Sequence, residues 1–171
     1  MLEQMVKNYL KPLIAIEYFK ESMKLGFIKS AIYYCKHLIK GDIIPQNIKK
    51  AKKLLETQIK KNDPGEFYFL LAKISEKQEK YDEYCELLKK SLLYDKFKAF
   101  YEYGKLLMKD KTNIKKSKQG LQYIKKSKHF GFPKAILKYG SELISGNFIT
   151  RNEEKGIKNI IKADDTKPRR K

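Results

Sequence analysis

Apolar and small residues recur along this chain at intervals of three and four, and nowhere alternate over a sustained stretch. After Ser30 they fall at Tyr34, Cys35 and Leu38, after Glu66 at Leu70, Leu71 and Ile74, after Ala99 at Tyr103, Gly104 and Leu107, and after Ala135 at Tyr139, Gly140 and Leu143. Positions four, five and eight residues beyond a common start share one helix face, whereas a half-buried strand needs period two. A second small residue follows 21 places after three of these starts, at Ala51, Gly120 and Gly156. Each segment therefore reads as two helices, and the chain as all-α.

The punctuation supports this reading. Gly41 and Gly146 stand where a left-handed C-cap ends a first helix. Asn47 and Asn152 stand where an N-cap begins the second, and Glu153 and Glu154 suit the positive end of its dipole. Pro12, three residues before Ala15, fits a first helical turn. Gly104 and Gly140 each cost about 1 kcal/mol against Ala inside a helix. The expected reason is that a missing Cβ lets the second helix approach closely.

The pattern is also an internal repeat. Gly26 to Glu56 lies over Gly131 to Ile161 without a gap at an offset of 105, with 11 of 31 positions identical, and Ala15 to Gly26 lies over Gly120 to Gly131 at the same offset. The starts at Ser30, Glu66, Ala99 and Ala135 divide that offset into spacings of 36, 33 and 36 residues. A period of this size predicts stacked supersecondary units, whose usual product is a binding surface and not a catalytic pocket. The expected division is a second helix of a partial repeat at about 9–26, repeats at about 27–62, 63–95, 96–131 and 132–163, and a basic, disordered tail at 164–171. The chain thus opens inside a unit, leaving an unpaired apolar face at that end unless Met1 to Lys11 folds back as a cap.

The runs Ala135-Ile-Leu-Lys-Tyr-Gly-Ser-Glu-Leu-Ile-Ser-Gly-Asn-Phe-Ile and Gly41-Asp-Ile-Ile-Pro-Gln-Asn-Ile-Lys-Lys-Ala51 resemble Sel1-like repeats, relatives of the tetratricopeptide repeat. The resemblance covers roughly residues 9 to 163. It implies a right-handed α/α superhelix, a solenoid of helix-turn-helix units, and the work of a non-enzymatic adaptor that assembles protein complexes. The Glu66 to Lys98 unit departs from the pattern: it lacks the glycine ending the first helix, is three residues shorter, and is closer to a plain tetratricopeptide unit. Gln58 also stands where Ser22 and Ser127 have a small residue. The groove positions of tetratricopeptide units, carried onto this chain, give Lys29, Lys36 and Lys40, then Tyr68. Further along they give Lys98, Tyr101, Lys105, Met108 and Lys109, and finally Lys134. The expectation is an electropositive concave face with aromatic and apolar patches, suited to an acidic or phosphorylated peptide segment.

Charge sharpens the choice of partner. The formal net charge is +19, yet of 39 basic residues only Arg151, Arg169 and Arg170 are arginine. Reading base edges or gripping phosphates bidentately favours arginine, so specific nucleic-acid recognition is disfavoured. The alternatives that stay open are charge-driven binding of nucleic acid or another polyanion, and a solvated lysine surface reflecting codon usage. The tail Thr166-Lys-Pro-Arg-Arg-Lys171 reads as solvated, or as a nuclear-import patch.

Other function classes are excluded or weakened. No apolar run reaches the 18 or more residues of a membrane span, and Glu3, Gln4 and Lys7 argue against a signal peptide. Cys35 and Cys85 lie on apolar helix positions and read as buried thiols in a reducing, cytoplasmic compartment. There is no phosphate loop, nucleophile elbow or metal-spaced His/Cys set, so no cofactor, metal or catalytic residue is expected. Neither His37 nor His129 has an acidic partner at a spacing that suggests general base work. Asp164 and Asp165 read as an exposed, frayed pair.

Overall fold

A computed structural model of the chain describes residues 11–59 and 64–165. The expectations for residues 1–10 and for the basic cluster Lys167 to Lys171 fall outside these. Among the described residues there are nine α-helices and no strand. They are α1 (Lys11–Lys24), α2 (Ile28–Lys40), α3 (Ile48–Ile59), α4 (Gly65–Lys77), α5 (Tyr81–Leu92), α6 (Phe97–Leu107), α7 (Ile114–His129), α8 (Pro133–Ser145) and α9 (Glu153–Asp165). α9 takes in Asp164 and Asp165, where the sequence suggested the start of the tail. The chain divides into two compact units, Met1–Tyr94 with α1 to α5 and Asp95–Lys171 with α6 to α9.

Local signals set the helix ends. Gly41 and Gly146 are left-handed, with φ of 74° and 70°, and their N–H groups donate to His37 O and Glu142 O. Asn47 Oδ1 and Asn152 Oδ1 accept from Lys50 N and Lys155 N, each at 2.9 Å, so both asparagines cap as expected. The Glu66 to Lys98 repeat, with no glycine at this place, solves the same problem differently: the turn after α4 puts the left-handed conformation on Glu79, at φ 58°.

In the first unit, the apolar stripes of α2, α3 and α4 meet in one core. Cys35, Ala51, Leu55 and Phe67 have no exposed surface there. Burying a side chain the size of Phe67 contributes about 2–3 kcal/mol. In the second unit, Met108, Leu121, Ile124, Ala135, Tyr139 and Leu143 form the core, with Tyr101, Phe132, Phe148 and Ile149 against it. Helix pairs close on glycine. A Cβ on Gly104 would stand 2.7 Å from Gly120 O, and one on Gly140 2.9 Å from Gly156 O. The close approach inferred from Gly104 and Gly140 is therefore present, and each has a second glycine opposite.

Buried hydroxyls tie α5 back to α4 and α7 back to α6. Ser91 Oγ donates to Gly65 O at 2.8 Å, and Ser127 Oγ to Phe97 O at 2.6 Å. Ser22, Ser91 and Ser127 each precede a repeat start by eight residues, so this bond belongs to the repeat. At the equivalent place in α1, Ser22 Oγ lies 2.6 Å from Ser30 Oγ.

Candidate partner-binding surfaces

The sequence-derived site residues divide between the units, Lys29, Lys36, Lys40 and Tyr68 in the first and the other six in the second. In the first unit, α2 and α4 enclose a cleft of about 400 Å³ lined by Tyr33, Lys36, Ile39, Lys40, Leu70 and Lys73, with His37 and Asp42 at its edge. Its lysines are engaged. Lys36 Nζ lies 2.9 Å from Glu66 Oε1, and Lys40 Nζ 2.5 Å from Asp42 Oδ2. Lys73 pairs with Glu76 at 2.7 Å. Lys29 is exposed near the start of α2. Tyr68 is half-buried against Tyr94, with Lys90 Nζ 5.8 Å from its ring.

One expectation is corrected here. His37 does have an acidic partner, because the left-handed turn at Gly41 folds the chain back and sets Asp42 Oδ1 2.8 Å from His37 Nδ1. The hydrogen bond from His37, then that from Lys40, hold the Asp42 carboxyl well below the usual carboxylate range. The group closes the end of α2, and Phe19 stacks on His37 at 6.4 Å.

The second unit gathers its residues around aromatic rings. Phe132, just before α8, packs against Phe97 and Tyr101 of α6, with centroids 5.3 and 5.4 Å apart. Lys98 Nζ lies 5.7 Å from the Phe97 ring and Lys105 Nζ 5.3 Å from the Tyr101 ring, both within cation–π range. Lys105 also reaches Glu102 at 3.2 Å. Lys109 is exposed. Met108 is buried in the core, where its Cγ would be 2.7 Å from a Cβ on Gly120. Lys134 lies on an apolar crevice of about 540 Å³ between the start of α8 and the end of α9, which Phe132 lines together with Leu137, Ile160 and Ile161.

Sequence reasoning passed over a further cleft, of about 520 Å³, between α8 and α9, lined by Lys128, Tyr139, Arg151, Asn152, Lys155 and Lys158. Lys128 Nζ sits 4.5 Å from the Tyr139 ring centroid. Burial, then Lys125 and Lys162 nearby, push its ammonium below the ordinary lysine range. Its sequence signal was the identity of Lys50 with Lys155 and Lys53 with Lys158 at the 105-residue offset.

Among the described residues no group of three or more His, Cys, Asp or Glu side chains could hold a metal, and no helix is long and apolar enough to cross a membrane. Cys35 and Cys85 are free thiols. Cys35 is fully buried, and burial pushes its thiol up to about 12, whereas Cys85 is half-buried.

Paired antiparallel helices repeated along the chain define an α/α repeat protein, and comparison with solved structures narrows the class. The fold is that of Sel1-like repeat solenoids. A Sel1 repeat protein from Oxalobacter formigenes superposes with a TM-score of 0.73 at 14% identity, covering 92% of this chain and 65% of that one. The protective antigen c5321 of uropathogenic Escherichia coli, described as displaying an SLR fold, gives 0.50 at 15% identity over 88% of this chain and 40% of its own. MamA gives 0.52 at 13% identity over 88% and 85%. The chain thus spans about two thirds and two fifths of the lengths of the first two structures. No protein-family model and no curated protein matches it.

Proposed function

We propose that this chain is a non-enzymatic scaffold that binds an acidic segment of a partner protein. The observation carrying this reading is the ring cluster of Phe97, Tyr101 and Phe132, with Lys98 and Lys105 over its outer rings. An apolar anchor of a peptide can pack on the exposed Phe97 ring and the half-buried Tyr101 and Phe132 rings while its carboxylates meet the ammonium groups, a combination of packing and charge-assisted bonding that favours anionic chains. The cleft of the first unit supports the same reading, with Lys36 and Lys40 paired to Glu66 and Asp42 as Lys105 is to Glu102. The two free thiols support a reducing, cytoplasmic setting.

The second reading, charge-driven binding of nucleic acid or another polyanion, is favoured by the net charge of +19. One experiment separates the two. An array of Asp/Glu-rich peptides, each with one aromatic or aliphatic anchor, is screened, and the best binder is titrated against the intact protein and a Lys98→Glu, Lys105→Glu variant. The variant is expected to lose affinity by about tenfold or more, the scale of losing charge-assisted contacts, with its helical circular dichroism retained. Unchanged affinity in a folded variant removes this surface from the reading. Polyanion binding falls linearly in log–log form as salt rises, whereas an anchored peptide keeps part of its affinity.

A further inference from the structure

We propose that the cleft between α8 and α9, beneath Lys128 and the Tyr139 ring, is a binding site for a phosphate monoester dianion. It shares no residue with the ring cluster of Phe97, Tyr101 and Phe132, so it goes beyond the scaffold reading and can fail without it.

The cleft's charge matches the ligand. Lys128, Arg151, Lys155 and Lys158 contribute four cationic side chains to its walls. Two carboxylates stand at the rim, Glu153 on Arg151 and Glu154 on Lys158, the latter pair at 2.5 Å. Four positive charges against two negative leave an excess of positive charge, to which Lys125 and Lys162 nearby add, and a phosphate monoester carries about two negative charges near neutral pH. Asn152 Oδ1 accepts from Lys155 N and Asn159 Nδ2 donates to Lys155 O, and the charged donors of the cleft are its ammonium and guanidinium groups. Lys128 is the central one. It is half-buried over the Tyr139 ring with Lys125 and Lys162 as like-charged neighbours, a cost that an anion in the cleft relieves.

The repeat supplies an internal comparison. The same cleft recurs in the first unit, with a volume of about 500 Å³ around Tyr34, Lys50 and Lys53, the counterparts of Tyr139, Lys155 and Lys158 at the 105-residue offset. The backbone is shaped alike in both: Asn47 N donates to Leu38 O at 2.9 Å and Asn152 N to Leu143 O at 2.8 Å. The chemistry differs inside. Met23 stands where the second cleft has Lys128, Leu54 where it has Asn159, and Gln46, whose Nε2 donates to Ile39 O, where it has Arg151. Lysines remain around the first cleft, with Lys20 and Lys24 held by Glu17 and Glu21 on their own helix. The first cleft thus keeps four lysines on its walls, Lys20, Lys24, Lys50 and Lys53, with Lys50 Nζ 5.5 Å from the Tyr34 ring, but has Met23, Leu54 and Gln46 where the second has Lys128, Asn159 and Arg151. A volume near 500 Å³ admits a phosphate with the group that bears it.

The test titrates the ¹⁵N-labelled full chain with O-phosphoserine, and in parallel with a short peptide of glycine, alanine and one phosphoserine, following amide shifts at about 0.1 M salt so that long-range charge is screened. Saturable shifts confined to the cleft residues are expected. The Lys128→Met, Arg151→Gln, Asn159→Leu variant carries the first cleft's residues at the same positions, and it is expected to bind at least about tenfold more weakly, as loss of charged hydrogen bonds implies. A single Lys155→Gln change on the exposed face of α9 gives a second weakened variant should the triple one unfold. Tighter binding of the peptide than of the free amino acid assigns the site to phosphorylated chains, and equal binding assigns it to small phosphate esters. Shifts that do not saturate, shifts scattered over lysines outside the cleft, or undiminished affinity in the folded variants overturn the proposal.

Discussion

Asp95 shows how much a single position of this repeat is worth. Gly26, Asp95 and Gly131 each precede a repeat start by four residues, and all three are left-handed, with φ of 87°, 51° and 75°. A residue with a Cβ is strained there by about 1–2 kcal/mol, part of which glycine gives back through its freer unfolded chain. Asp95→Gly is therefore expected to stabilise the protein by about 0.5–1 kcal/mol, read as a higher midpoint in urea unfolding. An unchanged or lower midpoint contradicts this account of the turn. The repeat start at Ala99 was legible in the sequence, yet the strain at Asp95 was not, because aspartate in a turn has many ordinary conformations. The bond from Ser91 to Gly65 was likewise hidden: counted from its own repeat start at Glu66, Ser91 stands 25 residues on, where Ser127 stands 28 after Ala99, and only the packed helices place its hydroxyl at that carbonyl.

Among the elements, the pairing of α6 with α7 rests on two opposed glycines. A Cβ on Gly120 would stand 2.5 Å from Gly104 O and 2.7 Å from Met108 Cγ. Helix propensity alone favours alanine over glycine by about 1 kcal/mol, but here the added methyl must push two helices apart. Gly120→Ala is expected to destabilise by about 1–3 kcal/mol, the usual cost of overpacking a core. Thermal melts check this, and a stabilised variant would mean the helices separate without cost. Helix extents and caps at Gly41, Asn47, Gly146 and Asn152 could be read from the chain, since each depends on a few neighbouring residues. The contact between His37 and Asp42 could not, because five residues of separation say nothing of a left-handed turn that brings the second side chain back onto the first.

For the whole molecule the dominant quantity is charge. With 39 basic against 20 acidic residues, the folded chain concentrates like charges that the unfolded chain spreads apart. Local pairs such as Lys89 with Glu86 and Lys158 with Glu154 on exposed helix faces offset only a little of this repulsion. Raising ionic strength from about 0.01 to 0.15 M shortens the screening length from about 30 to 8 Å. The melting temperature is therefore expected to rise, by at least about 2 °C, the response of a chain this long to roughly 1 kcal/mol. A fall on adding salt would show that attractive pairs outweigh the repulsion.

The sequence by itself determined the helical repeat: the 3.6-residue period, the glycine and asparagine at helix ends and the 105-residue self-match each follow from groups close together along the chain. Which side chains pair with one another, are buried or come to line a cleft was decided only by the tertiary structure. Lys36 meets Glu66 from another helix, Met108 goes under α7 because Gly120 admits it, and Lys128 comes to rest over Tyr139. Those outcomes depend on distances between helices, and on competition for the same carboxylates and the same space, which the order of residues along the chain does not encode locally.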